Sequence, residues 1–185
     1  METVTLWTKQ HRGVLNEIEL EGRYIARREN IVKKMEDISR FYLEAYSWYA
    51  KKASEIVAKP PDVNYPIWVS LDRASSLEND ADTVVLCLEV ESTQVVRLDY
   101  EKWGYVINFL YVPKDEKDEK EHQKMLSAYG TDDVEAYFSA FYPAIKKKII
   151  ASWGRMFEIE DGKIEQEKVG TLWEIRKEWI RQVSL

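Results

Sequence analysis

Polar and apolar residues along this chain follow two different rhythms, and each rhythm predicts a kind of element. Near the C-terminus Leu172, Glu174 and Arg176 alternate with Trp173, Ile175 and Lys177. One face is mainly apolar and the other carries charges, which is the two-residue period of a strand. Thr5-Leu6-Trp7-Thr8 near the start has the same β-branched and aromatic character. Strands are therefore predicted over Thr3–Thr8 and Val169–Arg176, and the two segments are expected to share a sheet. Further strands are predicted over Tyr65–Leu71, Thr83–Val90 and Val95–Leu98. Pro66 suits a strand start or an edge. The unbroken apolar run from Val84 to Leu88 suits a central strand.

The helical rhythm fills the gaps. Val14, Leu15 and Ile18 repeat at three to four residues, and Gly22 supplies a stop. Ile31, Met35, Ile38, Tyr42, Ala45, Tyr49 and Ile56 predict one long amphipathic helix over residues 29–58, ended by Pro60-Pro61. Asp99 is placed to cap a helix carrying Trp103, Val106, Ile107 and Leu110. Lys114–Lys124 is a charge run, read as a solvated loop and exposed helix closed by Gly130. Thr131 is expected to cap the next helix, with Asp132 and Asp133 in its first turn. That helix bears Val134, Tyr137, Phe138, Phe141, Ile145 and Ile149, and Pro143 is expected to kink it. Leu77–Asp82 reads as a polar loop, and Asp161-Gly162 as a tight turn into the terminal strand. The whole is an α+β fold in a single domain, residues 1–185. A mixed or antiparallel sheet of five or six strands carries three or four helices.

Composition narrows the picture in three places. No apolar run reaches the length of a membrane span, and the polar N-terminus has no signal core. The only cysteine, Cys87, lies inside the apolar strand and is expected to be a buried, quiet thiol in the cytoplasm. A net charge of −6 opposes broad electrostatic capture of nucleic acid.

Several chemistries drop out. The 7 glycines are never clustered, so the chain has neither a phosphate-cradling loop nor a dinucleotide fingerprint. His11 and His122 are far apart and the cysteine sits in a strand, which leaves no zinc-ligand spacing and no Cys-His pair. His122 falls in the charge run and reads as solvated. Among the carboxylates, Asp99 is explained by capping, and Glu89 and Glu91 by the polar side of a strand. Glu174 stands out because tryptophan neighbours could desolvate it, raising its pKa or sharpening a hydrogen bond. The competing reading of Glu174 is a solvated strand residue paired with Arg176 or Lys177.

A set of short blocks resembles a family of bacterial and phage proteins, the domain of unknown function DUF3841. The blocks are Leu6-Trp7-Thr8-Lys9-Gln10, Ser47-Trp48, Tyr65-Pro66-Ile67-Trp68, Leu88-Glu89-Val90, and Leu98-Asp99 with Trp103 and Ile107-Asn108. They continue with Ser152 to Glu158 and Thr171-Leu172-Trp173-Glu174-Ile175, in family order across nearly the whole chain. Val169-Gly170 departs from the Gln-Ala that the pattern implies there. The layout is also similar, at the level of fold alone, to ADP-ribosyltransferases. That likeness implies a catalytic role for Glu174, holding a ribose hydroxyl and steadying an oxocarbenium-like state, with Ser70 on the middle strand. Thr8 or Gln10 stands where those enzymes usually carry His or Arg.

Two readings follow. In the first, the protein uses NAD for ADP-ribosyl transfer or hydrolysis. Trp7 or Trp68 would stack on nicotinamide, Gln10 or Ser70 would orient it, and Glu174 would stabilise the developing charge. In the second, the same aromatic cleft serves a non-catalytic module that recognises a nucleotide or a protein partner. Trp7, Gln10, Trp68, Ser70 and Glu174 are expected to converge on one concave site.

Overall fold

In the computed structural model of the protein, which describes residues 2–36, 39–74, 76, 78, 80–159 and 168–184, the alternating segments become strands of one six-stranded sheet. Its strands are β1 (Thr3–His11), β3 (Ile67–Ser70), β4 (Thr83–Glu91), β5 (Val96–Asp99), β6 (Lys168–Leu172) and β8 (Ile180–Ser184), in the order β5-β6-β3-β1-β4-β8. β1 pairs antiparallel with β3 and with β4, β3 with β6, and β4 with β8. A two-stranded sheet joins β2 (Arg23–Tyr24) to β7 (Ile175–Arg176). With seven helices among the described residues the fold is α+β.

The first and last predicted strands do share the large sheet, with β3 between β1 and β6. The terminal strand differs from expectation by breaking after Leu172. Trp173 and Glu174 turn the chain out of the large sheet, and Ile175–Arg176 joins the small one. The edge strand β8 was not predicted. Ile180 and Val183 are three residues apart and show no strand period.

The protein divides into two compact units, Met1–Arg97 with Asp161–Leu185, and Leu98–Glu160. In the first unit, strand alternation sorts the core onto two faces of the sheet. On one face Leu6, Ile67, Val69, Leu86, Leu88 and Leu172 pack with Val14 and Ile18 of α1 (Gly13–Glu21). α1 ends where predicted, at Gly22, whose φ of 76° is the left-handed conformation glycine adopts without strain. On the opposite face Trp68 meets the rings of Tyr46 and Tyr49, with centroids 6.3 and 5.6 Å away. Those tyrosines belong to α3 (Ser39–Ile56).

The single long helix expected over 29–58 is two helices. α2 (Arg28–Met35) stops before Glu36, which has φ 46°, and α3 starts at Ser39. A non-glycine residue with positive φ cannot continue a right-handed helix. Cys87 is half-buried rather than buried. It points to the same face as Glu89 and Glu91, which are also half-buried, whereas Leu86 and Leu88 beside it are fully buried. Ile38, Leu77 and the Asp161-Gly162 turn lie outside the described residues.

The second unit holds α4 (Tyr100–Ile107), α5 (Glu116–Tyr129), α6 (Asp133–Phe138) and α7 (Pro143–Ser152). Asp99 caps α4 as predicted, accepting from Glu101 N and Lys102 N at 3.0 and 3.3 Å. The cap of α6 is Asp132, which accepts from Glu135 N, and not Thr131. Thr131 Oγ1 instead donates to the Glu135 carboxylate. Pro143 starts a new helix instead of kinking an old one, because a missing N–H is harmless in the first turn. His122 also departs from expectation. It is 1 % exposed, because His122 and Leu126, one turn apart, form the inner stripe of a helix whose other faces carry the charges.

Candidate functional site

The five predicted site residues fall into three places, all in the first unit. Trp7 and Ser70 are cross-strand partners, and Trp68 stands two residues from Ser70 on the same face. α3 covers part of this group through Tyr46 and Tyr49. A buried hydrogen bond of 2.6 Å between Tyr49 Oη and Thr171 Oγ1 ties the helix to β6 beside Trp68. Gln10 lies on the other face, with Leu6 and Thr8. Its Nε2 donates to Thr8 Oγ1, and Thr8 donates to the Trp68 carbonyl, both at 2.8 Å. Even and odd positions of one strand point to opposite faces, so Trp7 and Gln10 do not meet.

Glu174 is in the third place, the connection between β6 and β7. It is 5 % exposed, yet both of its oxygens are engaged. Arg23 Nη1 donates to Oε2 at 2.8 Å, and Arg176 Nε donates to Oε1 at 2.6 Å. Arg23 also pairs with Asp62. Burial pushes the Glu174 carboxyl up, but the hydrogen bonds from Arg23 and Arg176 outweigh it and hold the group below the usual glutamate range. Glu174 is thus an anchored anion, not a carboxylic acid kept protonated in an apolar pocket.

Two clefts border this ion cluster. The first, of about 210 Å³, is lined by Lys59, Gln94, Trp173, Glu174, Arg176 and Trp179. Trp173 is held by a 2.9 Å bond from its Nε1 to the Val57 carbonyl. The Arg176 guanidinium lies over the Trp179 ring, 5.1 Å from its centre. The second cleft, about 340 Å³, is edged by Glu21, Arg23, Glu174, Arg176 and Glu178. Its two additional acids oppose an anionic ligand, whereas Lys59 favours one in the first cleft.

Of the first cleft's lining, the sequence reading singled out only Glu174 and its neighbour Arg176. The spacing of Glu174 and Arg176 on a strand-like segment was the available signal. Nothing local could join Arg23, Lys59 or Gln94 to them, since the backbone brings these residues together from distant segments. Among the described residues no group of three or more His, Cys, Asp or Glu side chains is placed to hold a metal, and no helix is long and apolar enough to cross a membrane.

A family model described as a domain of unknown function, DUF3841, matches residues 5–181, and the chain belongs to that family. No curated protein matches the chain, and no solved structure does.

Proposed function

For this DUF3841 member we propose a non-catalytic binding module that takes one end of a nucleotide in the cleft between Arg176, Lys59 and the Trp173–Trp179 wall. The observation that carries this reading is the engagement of both Glu174 oxygens by arginines, at 2.8 and 2.6 Å. A carboxylate so held orients cations, and one acceptor site on each of its oxygens is already taken. Two basic groups, an amide and two indoles around one concavity suit a ligand that is part aromatic and part anionic. Pockets that enclose a whole drug-sized ligand run to about 300–1,000 Å³. A cleft of about 210 Å³ therefore suits a mononucleotide end, not an entire dinucleotide.

A second reading, NAD-dependent ADP-ribosyl transfer, draws on one observation. Glu174 is buried and held ionised, as a glutamate that steadies an oxocarbenium-like state must be. One experiment separates the two: calorimetric titration with AMP, ADP-ribose, NAD and nicotinamide, alongside an assay of NAD consumption. Binding of AMP or ADP-ribose with NAD left intact supports the module. Release of nicotinamide that disappears in Glu174→Gln supports transfer. Absence of binding by every nucleotide overturns both.

A further inference from the structure

Within that cleft, and resting on the reading just given, we infer that Arg176 is the residue that reads the ligand's anionic end, with Glu174 as its positioning residue. A guanidinium has five N–H donors in one plane. Arg176 uses Nε on Glu174 Oε1, and its guanidinium carbon lies over the Trp179 ring. Among the described residues its two terminal Nη groups have no hydrogen-bond partner. The side chain is 48 % exposed and lines the cleft. What remains is the parallel pair of donors that grips a phosphate or a carboxylate through two oxygens at once.

The other cations nearby are differently placed. Arg23 spends one terminal nitrogen on Glu174 and the other on Asp62, so it has no free fork. Lys59 donates to the carbonyls of Pro60 and Val63, which holds its ammonium at the rim as a point charge. Glu174 thus does two things for Arg176. It takes the Nε edge, and its far oxygen is already engaged by Arg23. The orientation exists before ligand arrives, so little side-chain entropy remains to be lost on binding. The ligand class is a small aromatic molecule ending in a phosphate or carboxylate.

The test pairs each anion with its neutral counterpart: AMP against adenosine, and nicotinate against nicotinamide, titrated into the wild type, Arg176→Lys, Arg176→Gln and Glu174→Ala. The wild type is expected to prefer one anion over its neutral partner by about tenfold or more, the size of a charge-assisted bidentate contact. The pair that shows the preference identifies phosphate or carboxylate. Arg176→Lys keeps the charge but loses the fork, and is expected to lose most of that preference. Arg176→Gln is expected to lose it entirely. Glu174→Ala is expected to reduce the same ratio, which a merely structural role would leave unchanged. Equal affinity for anion and neutral partner in the wild type, or full retention by Arg176→Lys, overturns the assignment and leaves the cleft reading standing. No binding of any of the four compounds to wild type overturns the cleft reading and this inference together.

Discussion

Tyr49 Oη and Thr171 Oγ1 lie 2.6 Å apart and fully buried, 122 residues distant in sequence, joining the middle of α3 to β6. Burial raises the Tyr49 pKa despite the hydrogen bond shared with Thr171, so the phenol stays protonated across the working range. Tyr49→Phe leaves the threonine hydroxyl without this partner and is expected to destabilise the protein by about 1–3 kcal/mol. Adding Thr171→Val to it removes the stranded group. Chemical denaturation should show the double variant less destabilised than the sum of the singles; additive effects would mean the bond carries no coupling.

Gly170 sits where a side chain has no room. A Cβ built there would meet Val95 Cγ1 at 2.8 Å, Val69 Cγ2 at 3.2 Å and Leu71 Cδ1 at 3.3 Å. The alanine implied by the family pattern at this position is expected to overpack this chain. Gly170→Ala should lower stability by about 1–3 kcal/mol. Combining it with Val95→Ala should recover part of that loss, which a thermal melt of the three variants can measure.

In the second unit Asp133 serves two buried donors. Its Oδ1 lies 2.6 Å from His122 Nε2, and its Oδ2 accepts from Tyr111 N at 3.0 Å. Tyr111 stacks on the His122 ring, 3.9 Å between centres. Asp133→Ala strands both donors in the interior and is expected to cost about 3 kcal/mol. Glu121→Ala, one position from His122 on the exposed side of α5, should stay within about 0.5 kcal/mol. Equal effects from the two would refute the buried role of the pair.

Acid should act on the arginine cluster in a definite direction. The Glu174 pKa is lower folded than unfolded, so the unfolded chain binds more protons in the interval between the two values. Its stabilisation is complete above the ordinary glutamate value of about 4.3 and is lost as pH falls through the lower folded value. Melting temperatures from pH 7 to pH 2.5 should therefore converge for wild type and Glu174→Gln at the acid end and diverge above pH 5. A constant gap at every pH would contradict the assignment.

Much of the architecture could be read from local pattern, because the pattern is itself a local cause. The apolar run along Thr83–Val90, the Gly22 stop and the Asp99 cap each depend on residues within one turn or one strand, and each appears in the structure. Family membership was equally open to sequence, since ordered short blocks span the chain. What local pattern does not carry is which face a residue shares with a distant one. Trp7 and Gln10 are three residues apart and point to opposite sides of the sheet, whereas Arg23 and Glu174, 151 residues apart, share a hydrogen bond. His122 looked solvated within its run of charges because burial is a property of the helix face and not of sequence neighbours. Strand pairing and helix packing choose those faces. The candidate site moved for the same reason: β1, β3 and β6 are neighbours in the sheet, but Gln10 faces the other side of β1 and Glu174 lies past the end of β6.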